Sequence, residues 1–176
     1  MAIFITVLLV LAGIIVLLLI LALVARKTYH IQREIIINAP LSKVFDYVKK
    51  LRNQDNYNKW VMADPNMKRD YRGVDGETGF IYAWNGNKKA GQGEQEIKHI
   101  SEGKSIQTEI RFVRPFTAIA NSNIETHPLS DSQTKVNWSN ESKMKFPLNI
   151  MIVMVEKMLV KDMDTSLNNL KAIMEE

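Results

Sequence analysis

The sequence predicts an α+β chain in which one antiparallel sheet wraps around a long C-terminal helix, with a separate apolar helix ahead of both. Three observations carry that prediction. The first 25 residues hold none of the 19 acidic and 23 basic side chains of the 176-residue chain. Between residues 29 and 145, alternating runs rich in Ile, Val, Thr and aromatic residues are cut by turns bearing Gly, Asn and Asp. From Pro147 onward, Leu148, Ile152, Val155, Leu159, Met163, Leu167, Leu170 and Ile173 recur at steps of three and four, the spacing of one helical face.

Composition narrows the function classes. At 46% apolar and 24% charged, the part after residue 25 is the size of one ordinary domain and can bury a core. The absence of cysteine excludes disulfides, thiolate nucleophiles, Fe–S clusters and Cys-ligated zinc. The net charge of +4 is small, and basic and acidic residues alternate along the strand candidates, so nucleic acid is not an expected partner.

Only Thr6 and Gly13 interrupt the apolar stretch of residues 1–25. As a helix rising about 1.5 Å per residue it reaches about 37 Å, enough to cross a hydrocarbon layer of about 30 Å. A cleavable signal peptide is the competing reading; it calls for a basic start, an apolar stretch of about 7–15 residues and a small-x-small cleavage site. Here nothing basic precedes the stretch, the stretch is too long, and Leu23 stands where a pattern ending at Ala25 wants a small residue. A membrane anchor is therefore the expectation. Arg26, Lys27, Arg33 and Lys43 follow it, which by the positive-inside rule puts the N-terminus outside and the domain in the cytoplasm. The span lacks acidic, basic and amide side chains and any small-xxx-small pair, so it reads as a tether and not as a pore or proton path. The expected organisation is a transmembrane helix over 1–25, a juxtamembrane linker over 26–29 and one domain over 30–176.

Within that domain, the Ile-rich alternation of 29–38 predicts a strand ended by Asn38-Ala39-Pro40. Leu41, Val44, Phe45 and Val48 then share one face of a helix over 41–50. Residues 51–66 are polar and punctuated, suggesting a short second helix followed by a loop. Six further strands are expected over 67–71, 79–85, 91–100, 105–114, 117–126 and 134–145, before a helix over 147–176 that starts on a proline. Thirty residues of helix would be about 45 Å long, enough to lie across a whole sheet. Strand, two short helices, six strands and a long helix describe a helix-grip architecture.

On these residues the chain resembles the START-like, Bet v 1-like (SRPBCC) superfamily, within its polyketide cyclase/dehydrase and lipid-transport group. Ile37-Asn38-Ala39-Pro40 followed by Lys43-Val44-Phe45-Asp46-Tyr47-Val48 is similar to the strand, Ala-Pro, helix opening of that superfamily. Tyr57, Trp60 and Asp64-Pro65 resemble its second helix and following loop, and Tyr82-Ala83-Trp84-Asn85-Gly86-Asn87 with Gly91-Gln92-Gly93 resembles its third-strand hairpin. Arg111-Phe112-Val113-Arg114-Pro115-Phe116, Thr134-Lys135-Val136-Asn137-Trp138 and the leucines after Asp164 complete the match over about residues 30 to 175. The resemblance implies the fold and a cavity between sheet and helix. It does not imply one function, since the superfamily includes carriers, receptors, cyclases and cochaperones.

Strand alternation assigns the inward side chains. Phe80, Tyr82 and Trp84 form one row; Gln95, Ile97 and His99 a second; Thr108, Ile110 and Phe112 a third; Val136, Trp138, Asn140 and Ser142 a fourth. An apolar wall with a few polar atoms suits an apolar ligand with one polar end, and Met151, Met154, Met158 and Met163 on the last helix would adapt to its shape. The same rows suit a packed core whose polar groups satisfy one another. The candidate ligand-binding residues are thus Tyr82, Trp84, Gln95, Thr108, Phe112, Trp138, Asn140, Ser142, Met151, Met154 and Met158. Access is expected between the last helix and loops 85–91 or 114–117.

No catalytic motif emerges. His30, His99 and His127 lie apart, no Gly-x-Ser-x-Gly elbow occurs, and residues 86–93 lack the Lys-Ser/Thr ending of a phosphate loop. No metal or cofactor is implied. The leading expectation is a monomeric, membrane-anchored domain that binds a hydrophobic small molecule, lipid- or isoprenoid-like. Two alternatives stay open: a cyclase- or dehydratase-like enzyme using Tyr82 or His99 as acid or base, and a ligand-free interaction module.

Overall fold

The structure is a computed structural model that describes residues 1–176, the side chain of Ala2 excepted. α1 (Ala2–Val24) is one continuous apolar helix with almost no protein packed against it. Its far end is held. Asn149 Nδ2 donates to the Ala22 and Ala25 carbonyls at 2.7 and 3.1 Å, occupying acceptors that a helix C-terminus leaves without an intrahelical partner. β1 (Thr28–Ile37) begins inside the stretch expected to be a linker, and the Met144 amide donates to the Lys27 carbonyl at 2.8 Å.

Beyond β1 come α2 (Leu41–Val48), a tight turn at Leu51–Asn53, and two single-turn helices, α3 (Gln54–Tyr57) and α4 (Lys59–Met62), where one short helix was expected. α2 buries Val44, Phe45 and Val48, the apolar face that its spacing predicts. The strands β2 (Lys68–Arg72), β3 (Ile81–Asn85), β4 (Gln92–Ser101), β5 (Ser105–Arg114), β6 (Ala118–Ser130) and β7 (Gln133–Lys143) join β1 in one antiparallel sheet of order β1-β7-β6-β5-β4-β3-β2. A tight turn at Leu148–Met151 leads into α5 (Ile152–Glu175), which packs along β1 and against α3 and α4. This is the expected α+β helix-grip.

Two local departures have backbone causes. β6 runs past the expected end at Thr126 and through Pro128 to Ser130; the register shifts between Pro128 and Ser130, and a bulge needs no amide from the proline. In β4 the register shifts between Ile97 and His99, which turns His99 to solvent and corrects its inward assignment.

The pairing Thr28 with Lys143, Ala120 with Ser142, Ala118 with Phe112, Gln92 with Arg114 and Asn85 with Gln92 gathers one set of strand ends. Loops 86–91 and 114–117 and the segment 144–151 all lie at this end, which is where α1 leaves the domain. It is the proximal end below; the turns at 73–79, 102–104 and 131–132 mark the distal end.

Candidate functional site

Three of the four inward rows hold their alternation along the whole strand. Phe80, Tyr82, Ile97, Ile106, Thr108, Val136, Trp138 and Asn140 are buried, while their outward neighbours are not. Burial is graded along the strands, however. Toward the proximal end the same inward rows carry Trp84, Ile110, Phe112 and Ser142, which are only half-buried, while Gly93 and, on β6, Ala120 stay buried there. The grip is closed at its distal half and less deeply buried at its proximal half.

The distal half is filled by protein. Trp138 lies edge-on to Trp60 at 5.8 Å between ring centroids, and its indole N–H donates to Ser122 Oγ at 2.8 Å. Asn140 Nδ2 donates to Met163 Sδ at 3.5 Å. Gln95 Nε2 donates to Thr108 Oγ1 at 2.9 Å, and that hydroxyl reaches the Ser122 carbonyl at 3.4 Å. α4 is fixed on α5 by Asp162, which accepts from Lys59 Nζ at 2.5 Å and from the Trp60 indole at 3.0 Å. Every polar side chain expected to line the pocket here already has a protein partner, as a packed interior requires.

Tyr82 is the clearest case. Its hydroxyl donates to Asp55 Oδ1 at 2.5 Å and accepts from Arg69 Nε at 3.1 Å, while Arg69 Nε also meets Asp55 Oδ2 at 2.9 Å. Burial pushes the Tyr82 hydroxyl well above the usual phenol range, and the Asp55 carboxylate adds to the shift. Asp55 and Arg69 are residues that sequence reasoning missed. A lone Asp in a polar segment and an Arg on a short edge strand give no spacing signal; only the fold brings them to the tyrosine.

At the proximal half, the Trp84 and Phe112 rings meet edge to face at 6.0 Å, and the Trp84 indole donates to the Ala90 carbonyl at 3.0 Å. The Trp84 ring lies so close over Gly93 that a Cβ there would fall 2.7 Å from it and 2.6 Å from the Arg111 carbonyl. Only glycine permits that approach. Ser142 Oγ donates to the Ile119 carbonyl at 2.5 Å.

The methionines divide. Met163 is buried, but Met154 and Met158 are 59% and 54% exposed and Met151 is 39% exposed. At about 100° per residue, the nine positions between Met154 and Met163 carry Met154 about 180° away from the buried stripe. These three side chains therefore project from the surface of α5 instead of into the interior. Two open hollows mark the molecule. One, of about 300 Å³, lies over Ala83, Asn85 and Val113 on the outer side of the sheet; the other, of about 500 Å³, lies between the start of β1 and α5, at His30, Ile31 and Val153. Neither is the enclosed chamber that the sequence rows suggested.

The profile of the polyketide cyclase/dehydrase and lipid transport family matches residues 28–175, β1 through α5. The chain belongs to this family. A search of curated proteins returned no match. Among solved structures, norcoclaurine synthase from Thalictrum flavum is similar over 87% of this chain and 98% of its own, at 12% identity and a TM-score of 0.65. Ginseng major latex-like protein 151 from Panax ginseng is similar over 85% and 99%, at 14% identity and 0.61. A protein of Nitrosospira multiformis gives 83% and 96%, at 16% identity and 0.59. At such identities these likenesses establish the Bet v 1-like fold of the family and nothing finer. Among the described residues, no group of three or more His, Cys, Asp or Glu side chains is placed to hold a metal ion.

Proposed function

We propose that this is a membrane-anchored domain that takes a hydrophobic small molecule, lipid- or isoprenoid-like, into the open proximal half of its grip. The observation that carries the reading is the gradient of burial along the inward rows, from closed at Tyr82 and Trp138 to half-open at Trp84 and Phe112. Trp84, Phe112 and Ile110 would supply the apolar wall and Ser142 the polar atom nearest the opening. Tyr82, Thr108, Trp138 and Asn140 would form the floor. α1 supports the reading from a second direction. A span with Arg26 and Lys27 just after it favours a cytoplasmic domain, and a tether at the open end raises the effective concentration of a membrane-borne ligand.

The Asp55–Tyr82–Arg69 cluster is read as structural. The tyrosine holds its proton more tightly than a free phenol and faces a carboxylate already paired with a guanidinium, which suits neither a base nor a ready acid.

Adjacent positions on β5 provide the test, because Phe112 points inward and Val113 outward. With the full chain in lipid nanodiscs and dansyl-undecanoic acid as probe, Phe112→Arg is expected to abolish binding that Val113→Arg leaves intact. Equal binding by both variants, or loss in Val113→Arg alone, which would move the site to the outer hollow, overturns the proposal.

A further inference from the structure

We infer that the proximal end of the domain is a docking face for the anionic phospholipid surface of the bilayer that α1 crosses. The inference rests on α1 being an anchor and goes beyond it: a tether alone would leave the domain free to sit at any height and angle. Four segments meet at this end, residues 26–27, 86–91, 114–117 and 143–148, and they contain seven Lys or Arg and no Asp or Glu. Lys27, Lys88, Lys89, Lys143 and Lys145 are exposed, and among the described residues none of them is in an ion pair. Arg26 and Arg114 are already engaged, by Glu156 and by Gln92 and Asn85.

The same segments expose Phe116, Phe146 and Leu148, large apolar side chains interleaved with the lysines. An apolar tip flanked by cations is the chemistry of an interfacial contact: the rings enter the headgroup boundary and the ammonium groups meet lipid phosphates. The distal turns are mixed in charge: Asp75, Glu77, Glu102, Asp131 and the terminal Glu175 and Glu176 stand with Lys104 and with Lys49 and Lys50, which flank Gly76. Unpaired positive charge therefore gathers toward α1, with Asp64, which accepts from the Asn87 amide at 2.7 Å, as a carboxylate beside it.

Geometry leaves the face little freedom. Asn149 clasps the last turn of α1, so neighbouring Leu148 sits one residue from the point where the helix leaves the domain. Only three residues separate the end of α1 from β1, at most about 3.5 Å each. A docked proximal end would also place the open half of the grip against the membrane, the direction from which a lipid would come.

The absence of native cysteine allows single labels. In full-length chain carrying a nitroxide at Thr117→Cys or Asp131→Cys, collision with a water-soluble nickel complex reports immersion. In vesicles of phosphatidylcholine with phosphatidylglycerol, the Thr117 probe is expected to lose most of that collision while the Asp131 probe keeps it. Lys88→Glu with Lys89→Glu, or high salt, is expected to restore it. A Thr117 probe as exposed as the Asp131 probe, in a chain that resists alkaline carbonate, overturns the docking and leaves the anchor. Shielding that is the same in pure phosphatidylcholine and indifferent to charge reversal overturns the anionic partner. Release of the chain by carbonate overturns anchor and docking together.

Discussion

Tyr57 and Tyr82 are both buried, yet their hydroxyls meet opposite surroundings. Tyr82 holds Asp55 and Arg69, whereas the Tyr57 hydroxyl has no partner among the described residues and its ring leans on Tyr47. Removing a hydroxyl that serves a charged pair strands part of that pair, while removing one that serves nothing relieves a desolvated dipole. Tyr82→Phe is therefore expected to lower stability by about 1–3 kcal/mol, and Tyr57→Phe to leave it unchanged or raise it by up to about 1 kcal/mol. Thermal unfolding of the full chain in detergent micelles measures both, and equal losses would contradict the assignment. At this scale the sequence was least legible. That Tyr82 points inward follows from alternation, but that its oxygen is consumed by α3 and β2 depends on contacts between segments far apart in the chain.

Elements were legible wherever one face repeats, and failed where the chain breaks its own period. The rows of β3, β5 and β7 carry their predicted parity, whereas one bulge in β4 sent His99 to the other side. The exposed methionines teach a different lesson, because their spacing from Met163 already contradicted an inward position; grouping them by chemistry overrode the helical period. The outer face of β4 and β5 holds a prediction of its own. Arg111 meets Glu94 Oε1 at 2.8 Å, Glu96 Oε2 at 2.7 Å and Glu109 Oε1 at 2.5 Å, with Arg72 also on Glu94 and Lys98 on Glu96. Hydrogen bonding to Arg111 holds the Glu94 and Glu96 carboxyls below the usual range, an effect strengthened by Arg72 and Lys98. A depressed carboxyl contributes stability that is present above the unfolded value of about 4.3 and is lost as pH falls through the folded one. Arg111→Gln is expected to cost on the order of 1 kcal/mol at neutral pH, a modest figure because the cluster is partly solvated. The difference from the parent chain should shrink as pH falls below about 4, where the carboxyls protonate. A constant difference across the acid range in denaturation curves would show that the guanidinium acts through packing instead.

For the molecule as a whole, the question is whether α1 and the domain form one body or two. Three residues of connection would permit free rotation, but the Asn149 side chain spans both parts, buried and donating to carbonyls at the end of α1. A carbonyl at a helix end has no intrahelical partner, so a side-chain donor supplied by the domain couples orientation to helix position. The Arg26–Glu156 ion pair adds a second link from the same turn to α5. Asn149→Ala is expected to leave the sheet folded and probe binding intact while loosening this joint. A nitroxide at Thr28→Cys, just past the joint, should then give a narrower, more mobile spectrum in vesicles than the same label in the parent chain. Charge reversal at Lys88 and Lys89 should leave that spectrum broad, because these side chains do not touch the clasp whatever the proposed lipid contact loses. If Asn149→Ala leaves the line shape unchanged, the amide is only filling space, and the Arg26–Glu156 ion pair is what holds the joint.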